Sequence, residues 1–373
     1  MAQRPVFSHF VVKICSRCNL DCDYCYMYRM RDSGWRDQPK VMSVATLTRL
    51  AVRIGRYARQ RNLDEVTVVW HGGEPLIAGA ELLDQACVLM RSFMPAETRL
   101  RMSVVTNGIL LKNKAILDVL LKHGVEVTVS LDGDAAVVNR HRKYLHGGGS
   151  YDDVVTGIRC LMQEPYARLT RRFLAVIDPG TDPVAVYDAV AQFAGEGTVL
   201  DFVLPLANWD SPPARPSGGP DYGHWLASLY DHWRLQPDRA VIRTFWVLED
   251  QLQGIDTRVG FIGPAPGGAQ IAVNTDGSIE RVDSLRSVED GMVSTGRTVR
   301  WTSFRKAELL PRMTSAEPCA ECRACPLFGP CGGGYFVDRY SSRGGFDNPS
   351  VYCADMKVLI PHIAGALKAA SSL

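Results

Sequence analysis

Short β-rich runs alternate with stretches whose apolar residues recur at helical spacing along the first 200 residues. This alternation favours parallel strands joined by crossover helices. Because eight units are not present, we expect a partial (β/α)6 barrel whose active site lies at the carboxyl ends of its strands. The predicted strands are 7–14, 65–70, 100–106, 125–132, 171–177 and 199–204. The predicted helices lie at about 43–60, 79–92, 112–123, 150–163 and 183–194.

The pattern changes after the sixth predicted strand. Residues 205–222 are too rich in Pro, Gly and Ser for regular structure, which predicts a loop that acts as a lid over the barrel mouth. Within it, Trp209 and Asp210 are candidates for substrate contact, and the alternative is a loop that Trp209 simply anchors. Two aromatic helices are predicted at about 222–234 and 240–253. The predicted domains are a barrel over 1–204, a loop and helical bridge over 205–264, and a smaller cysteine-rich domain over 265–373.

Composition excludes several classes of function. The 373 residues are 46% hydrophobic with a net charge of +2, so no broad positive field is present for nucleic acid. No signal peptide precedes the first strand, and no apolar run approaches the ~20 residues of a membrane span. We therefore expect a cytoplasmic protein without a membrane partner. The 11 cysteines stay reduced in that compartment, and their clustering favours metal ligation over disulfides.

The first cysteine group follows the first predicted strand as C-x3-C-x2-C, formed by Cys18, Cys22 and Cys25. A 4Fe-4S cube needs four ligands. Three thiolates leave one iron open to the amino and carboxylate groups of a small molecule such as S-adenosylmethionine (SAM). Structural zinc is the alternative, with Cys15 as a fourth thiolate. A zinc knuckle would not need the motifs at the next strand ends, so the cube is favoured and Cys15 is predicted to be a buried thiol or a spare ligand.

Three short motifs end the second, third and fourth predicted strands: His71-Gly-Gly-Glu-Pro75, Thr106-Asn-Gly108 and Ser130-Leu-Asp-Gly133. We expect them to meet the cysteine loop on one rim. Their glycines let the backbone pass close to a ligand, their glutamate fixes a turn, and amide and hydroxyl groups can bind a ribose or a carboxylate. A nearby arginine can neutralise that carboxylate, and an aromatic ring can lie against adenine or in the core. The predicted SAM-binding residues are Tyr24, Gly72, Gly73, Glu74, Asn107, Ser130 and Arg142.

A second cysteine group lies near the carboxyl terminus. Four of its members are spaced x2, x5 and x21, which provides four thiolates and predicts a closed cluster that passes electrons. Zinc is the alternative, because four-cysteine zinc sites are common. Cys319 is left over, as a surface thiol or an occasional ligand. The four predicted ligands are Cys322, Cys325, Cys331 and Cys353.

Together these motifs resemble the radical SAM superfamily, and the second cysteine group resembles a SPASM domain. The stretches 275–285 and 344–353 are similar to the FxsB-type subgroup, which modifies ribosomally made precursor peptides. The resemblance implies a radical SAM partial barrel with a smaller SPASM-like domain, SAM, and two 4Fe-4S clusters. It also implies a precursor peptide as partner and an electron donor such as flavodoxin or ferredoxin. The implied reaction forms a cyclophane, in which a 5′-deoxyadenosyl radical takes a hydrogen from a β-carbon that then joins an aromatic ring.

The sequence departs from the usual SPASM pattern at two ligand positions, which Val282 and Tyr335 occupy. We therefore expect a single auxiliary cluster, which would accept the electron. Asp283 matches the position of the base in sulfatase-maturing relatives and is the candidate base; the alternative is that it caps the hairpin turn around Gly277.

Other outcomes of the resemblance stay open. Sulfatase formylglycine maturation, epimerisation, and thioether or ether crosslinking are alternative reactions of the same superfamily. A non-catalytic zinc protein or an iron-sulfur electron carrier ranks below these. Because no extension for a separate leader-recognition domain precedes the first strand, we expect the barrel and tail, or a separate protein, to recognise the peptide.

Overall fold

The computed structural model describes residues 6–216, 221–236, 240–255, 257, 270–309 and 317–371. The chain forms two compact units. The first comprises 1–130, 139–171 and 267–314, and the second comprises 131–138, 172–266 and 315–373. The domain boundaries expected from the sequence stay a prediction. No helix in the described ranges combines the length and the apolar character that crossing a bilayer requires.

Strands and helices alternate as the hydrophobic pattern predicts. The strands of the described residues are β1 His9–Cys15, β2 Glu65–Gly72, β3 Arg99–Thr106, β4 Glu126–Ser130, β5 Thr170–Val176, β6 Val199–Val203, β7 Val241–Ile242, β8 Gln270–Val273, β9 Ser278–Glu280 and β10 Ser294–Thr298. The α-helices are α1 Val44–Arg61, α2 Gly79–Phe93, α3 Lys114–His123, α4 Ala135–His141, α5 Tyr151–Leu161, α6 Pro183–Ala191, α7 Tyr222–Arg234, α8 Arg243–Leu252, α9 Phe304–Ala307, α10 Ala320–Ala324, α11 Phe328–Cys331 and α12 Cys353–Ser371.

In the first unit, β1 to β4 pair in parallel and in chain order. Strand β1 is buried along nearly its whole length, whereas β2 alternates buried with half-buried positions. Ser43 and Asn113 cap α1 and α3 by accepting amide hydrogens. The predicted strands and the five crossover helices are therefore confirmed, whereas α4 was not predicted.

In the second unit, β5, β6 and β7 pair in parallel. Helices α7 and α8 match the two predicted aromatic helices, and their rings pack together, with Tyr230 and Phe245 centroids 5.1 Å apart. The aromatic side chains of these two helices therefore belong to the hydrophobic core of the second unit.

The hairpin around Gly277 adds to the sheet in a way that the sequence does not show. Strand β8 pairs in parallel with β1, with Val12 opposite Val273, and β9 turns back antiparallel to β8. Gly277 has a φ of +86° at this turn, a conformation that favours glycine. The short 310 helix Asp283–Ser287 follows β9. This pairing brings residues near 280 beside the carboxyl end of β1.

The close contact between Gly157 and Gly108 allows the packing of the first unit to be tested by mutation. A Cβ atom on Gly157 of α5 would lie 2.0 Å from the Gly108 carbonyl oxygen, so Gly157→Ala must displace backbone. We expect it to lower the free energy of unfolding by about 1–3 kcal/mol. Gly365→Ala in α12 is the matched control, because a Cβ there meets nothing within 4 Å. The control should be neutral or stabilising by up to about 1 kcal/mol. Urea midpoints followed by circular dichroism check both, and equal midpoints would refute the contact.

Candidate functional site

The first cysteine loop follows β1 as a compact turn whose backbone donors face sulfur. The Leu20 amide donates to Cys18 Sγ at 3.4 Å, and the amides of Met27 and Tyr28 donate to the Cys25 thiol. The Cys25 amide bonds to the Cys22 carbonyl at 3.2 Å, which closes the turn. Amide donors directed at a sulfur favour its thiolate form. The donor set therefore fits a metal cluster.

Burial acts against those thiolates. It raises the pKa of Cys18 to about 12, with Glu74 contributing further, and it also raises the pKa of Cys25. A metal centre reverses this balance, because a coordinating thiol is deprotonated outright. Without a metal these thiols are therefore neutral, and a bound metal cluster would hold them as thiolates.

Asn107 joins the cysteine loop to the ends of two strands. Its Nδ2 donates to Asn19 Oδ1 at 2.7 Å and lies 3.9 Å from Cys18 Sγ. Its backbone amide donates to Glu74 Oε2 at 2.7 Å. The loops after β1, β2 and β3 thus meet, as the order of the motifs predicted. Contact of Asn107 with SAM stays a prediction.

Glu74 is fully buried and is held by three internal donors. Its carboxylate accepts from the Leu76 amide and the Thr106 hydroxyl, both at 2.9 Å, in addition to the Asn107 amide. Burial raises the pKa of Glu74 to about 7 against these donors. Glu74 therefore braces β2 against β3, in keeping with the predicted turn-fixing role.

The two glycines of the second motif are required by the protein itself. A Cβ on Gly72 would lie 1.9 Å from the Cys15 carbonyl oxygen, and one on Gly73 would lie 1.9 Å from the Tyr28 hydroxyl. The sequence suggested a close approach to a ligand. The structure shows that the glycines also accommodate the cysteine loop, which packs directly on them.

Arg142 places a cation beside the cysteine loop. Its Nη1 donates to the Tyr24 hydroxyl at 2.8 Å, and its backbone carbonyl accepts from Ser150. Its charge offsets part of the rise that burial causes in the pKa of Cys25. Ser130 ends β4 and is half-buried. These positions suit the recognition of a carboxylate, and the assignments of Tyr24, Ser130 and Arg142 to SAM stay predictions.

A buried ionic network lies where the hairpin meets β1. Lys13 Nζ is 2.7 Å from Asp283 Oδ1 and also pairs with Glu280. Arg286 bonds to Asp32 at 2.9 Å and to Glu280 at 2.6 Å. Burial favours the neutral Asp283 carboxyl, but Lys13 and then Arg286 outweigh it and lower the pKa of Asp283. Asp283 is therefore ionised, which is the form that a proton acceptor must have.

The sequence identified Asp283 as the candidate base, but it did not reveal the ionic network or the residues that pair with Asp283. One signal was available: Lys13 interrupts the apolar run of β1 and has no exposed surface. Lys and Glu are almost never fully buried unless they are paired. A charged residue inside a buried strand therefore indicated an acidic partner, although it could not identify which one.

Four cysteines of the second group line one cavity of about 510 Å³, together with Phe328 and Met356. The amides of Gly333 and Gly334 donate to the Cys331 thiol. Burial raises the pKa of Cys322 to about 12, and the next cause is a hydrogen bond with Cys319. Cys319 is buried and does not line the cavity. The four cysteines on the cavity wall are the four that were predicted: Cys322, Cys325, Cys331 and Cys353.

Zinc makes a different geometric demand from a cube. A zinc ion holds its thiolates about 2.3 Å from one point, whereas each thiolate of a cube binds its own iron. Across the ranges that the structure describes, no three His, Cys, Asp or Glu side chains converge in the way a single ion requires. The choice between zinc and a cube therefore stays a prediction at both cysteine groups.

The predicted lid loop is tied down where it is described. Trp209 Nε1 donates to the Pro349 carbonyl at 2.8 Å, and its amide donates to the Tyr340 carbonyl at 3.0 Å. Asp210 accepts from the Ser342 amide at 3.0 Å. These contacts favour the anchored-loop alternative over substrate contact by Trp209. Residues 217–220 lie outside the described residues, so the lid stays a prediction.

Comparisons with known proteins agree with the cysteine pattern. The model of the Radical SAM superfamily matches residues 12–176. The serine-type anaerobic sulfatase-maturating enzyme of Klebsiella aerogenes is 25% identical over 350 residues, which covers 88% of this chain and 80% of that enzyme. The cysteine-type enzyme of Clostridium perfringens is 24% identical over 373 residues, which covers 95% of each.

Solved structures give the same fold. The structure of anSMEcpe with bound AdoMet has a TM-score of 0.80 and 22% identity, and the match covers 98% of this chain and 99% of that one. Streptococcus suis SuiB bound to precursor peptide SuiA has a TM-score of 0.54 and 13% identity, covering 89% of this chain and 72% of that one. The predicted α/β fold with a parallel sheet is therefore confirmed.

Iron counting tests the two cysteine groups separately. After anaerobic reconstitution we expect about eight irons per chain, and about four in either Cys25→Ala or Cys325→Ala, because each variant removes a ligand of a different four-iron group. Cys160→Ala, a half-buried helical thiol outside both groups, is the matched control and should keep about eight. A colorimetric iron assay measures all three. Unchanged iron in both ligand variants would contradict the assignment.

Proposed function

Because the chain has the radical SAM α/β fold, with residues 12–176 matching that superfamily, we propose that it is a maturase that oxidises a side chain of a peptide or protein. The observation that carries this proposal is the three-cysteine loop, joined by Asn107 to the ends of β2 and β3. Three thiolates at that rim leave a cube with one iron open for SAM.

SAM and 4Fe-4S clusters are the cofactors of this proposal. When bound, the cluster with SAM supplies a 5′-deoxyadenosyl radical that removes a hydrogen atom, and the closed cluster supplies an electron acceptor. Cys18, Cys22 and Cys25 would hold the first cluster. Cys322, Cys325, Cys331 and Cys353, which line the 510 Å³ cavity, would hold the second.

The chain's own groups bind, orient and take up a proton. Arg142 is a buried cation beside Cys25 and binds the SAM carboxylate. Asn107, fixed by Glu74, presents its amide to the same region. Oxidation of the substrate releases a proton, and Asp283, ionised beside Lys13, is the carboxylate that we assign to that loss.

Two oxidations fit these parts. The relatives named above favour sulfatase maturation, in which a serine or cysteine becomes formylglycine. Crosslinking of a precursor peptide into a cyclophane is the second candidate. One feature of the sequence supports this second candidate. Val282 and Tyr335 replace two ligands of the auxiliary cluster that sulfatase-maturing relatives carry. A peptide substrate and a flavodoxin or ferredoxin donor are proposed in either case.

Mass spectrometry with an aldehyde probe separates these reactions. Formylglycine made from serine and a crosslink both remove two hydrogens, so intact mass alone does not distinguish them. Reaction of the product with a hydrazide indicates formylglycine, whereas an unreactive product that resists fragmentation between two residues indicates a crosslink. Unchanged mass with deuterium uptake from heavy water indicates epimerisation.

The product assay also tests the role of Asp283. We expect Asp283→Asn to form modified peptide about 10²–10⁴ times more slowly, because general base catalysis contributes about that much. Cleavage of SAM to 5′-deoxyadenosine should continue, since it precedes the proton loss. Asp118→Asn, an exposed change on α3 that alters only the pairings of this side chain with Lys114 and Tyr166, is the control that should retain product formation. Full product yield with Asp283→Asn would exclude it as the base.

A further inference from the structure

The outer side of α1 is strongly basic. This helix contains five arginines and no aspartate or glutamate, in a chain whose net charge is +2. Its apolar side faces the sheet, where the rings of Tyr57 and of Phe10 on β1 lie 6.2 Å apart. Arg49, Arg53 and Arg56 follow one another at intervals of four and three residues, so they lie together on its outer side. This side of the helix has no role in the reaction proposed above.

The segment after β10 extends this basic surface. Arg53 donates to the carbonyls of Val299 and Arg300, at 3.1 Å and 3.3 Å, which holds the segment beside α1. Trp301 is 73% exposed, and the Arg300 guanidinium lies 4.7 Å from the centroid of its ring. Helix α9 follows, packs against α1 and exposes two further basic side chains. We call this surface the basic face; it comprises Trp301 with Arg49, Arg53, Arg56, Arg300, Arg305 and Lys306.

The charge of the basic face is not neutralised from within its own segments. Glu308 is the one acidic residue of the sequence between 297 and 309, and it is buried, where it accepts from Arg61 and Tyr57. Tryptophan and arginine are enriched among the residues that carry most of the binding energy at protein interfaces. An exposed tryptophan among arginines is therefore typical of a surface that contacts another protein, and its charge favours an acidic one.

The basic face begins at the end of the sheet that carries the first cysteine loop. The Ser16 amide donates to the Lys40 carbonyl and the Met42 amide to the Ile14 carbonyl, both at 2.9 Å, so the chain passes from the carboxyl end of β1 directly into α1. Arg49 lies in the second turn of that helix. A substrate side chain must enter the rim of the barrel, whereas an electron donor needs only to approach the cluster from outside. The outer side of a crossover helix therefore suits a donor better than a substrate.

We propose, as a deepening of the proposed function on which it rests, that the basic face binds an acidic electron-donor protein, which reduces the cluster of the first cysteine loop. The donor gives up one electron and the cluster with SAM takes it up, and no covalent bond forms or breaks at the face itself. Opposite charge steers the donor to the arginines, and Trp301 supplies the apolar anchor of the contact.

Binding of a purified flavodoxin with a strongly negative net charge to the reconstituted full-length chain tests the face directly, by biolayer interferometry. In the double variant Arg49→Glu, Arg56→Glu we expect the association rate constant at low salt to fall about tenfold, because charge steering raises association rates by about 10–10³-fold. The matched control is Arg159→Glu, Arg168→Glu, the same change of charge at exposed positions in and after α5, which α2 and α3 separate from α1. Trp301→Ala should raise the dissociation rate constant about tenfold. Equal association rates in the two double variants would overturn the inference.

The choice of reductant separates donor binding from the chemistry. In Arg49→Glu, Arg56→Glu we expect flavodoxin-driven cleavage of SAM to fall about tenfold and dithionite-driven cleavage to keep the wild-type rate, because a small reductant does not need the face. Equal loss with both reductants would overturn the inference, as would weaker binding of the peptide substrate with unchanged binding of flavodoxin. Absence of dithionite-driven cleavage in the wild type would instead refute the proposed function, and the interferometry does not depend on that result.

Discussion

Burial of charged and thiol groups is the constraint on which this molecule depends. A thiolate or carboxylate removed from water must be compensated by donors, by an opposite charge or by a metal. Glu74 has three donors, Asp283 has Lys13, and Cys18 and Cys25 have backbone amides that do not by themselves outweigh burial. Without a metal these thiols therefore stay neutral, and iron is assigned to them on the spacing of the cysteines.

The same constraint explains why distant segments meet. Lys13 has no exposed surface, and its acidic partner Glu280 lies 267 residues away, so the β8–β1 pairing is needed to satisfy both. Removal of one partner of a buried pair leaves the other charge uncompensated, which costs about 3–5 kcal/mol. The network therefore couples the position of the hairpin to that of β1, and it fixes Asp283 beside Lys13.

The hydrophobic pattern predicted the strands and helices whose formation depends mainly on neighbouring residues in the chain. Strands β1 to β6 are apolar runs bounded by turn residues, and each was predicted to within two residues at both ends. Helix α4, with seven residues, is too short for a clear periodicity, and β8, with four, carries no alternation. Parallel pairing of β8 with β1 is a long-range contact that no window of sequence contains.

The candidate site, like the fold, could be predicted from the sequence only in part. Cysteine spacing identified both thiol groups, because a cube constrains which cysteines can bind it together. The predicted role of Gly72 and Gly73, close approach to a ligand, was incomplete. A Cβ atom at these positions would collide with Cys15 at the end of β1 and with Tyr28 of the cysteine loop. The ionic network around Asp283 was missed because its bonds join distant parts of the chain, such as Lys13 and Glu280, which are 267 residues apart.

Anaerobic, dithionite-driven cleavage of SAM by the reconstituted chain, followed as 5′-deoxyadenosine by chromatography, is the experiment to perform first. We expect the wild type to form 5′-deoxyadenosine, and a variant in which Cys18, Cys22 and Cys25 are all alanine to form none. A colourless protein that leaves SAM intact under these conditions would show that the three-cysteine loop does not carry radical SAM chemistry.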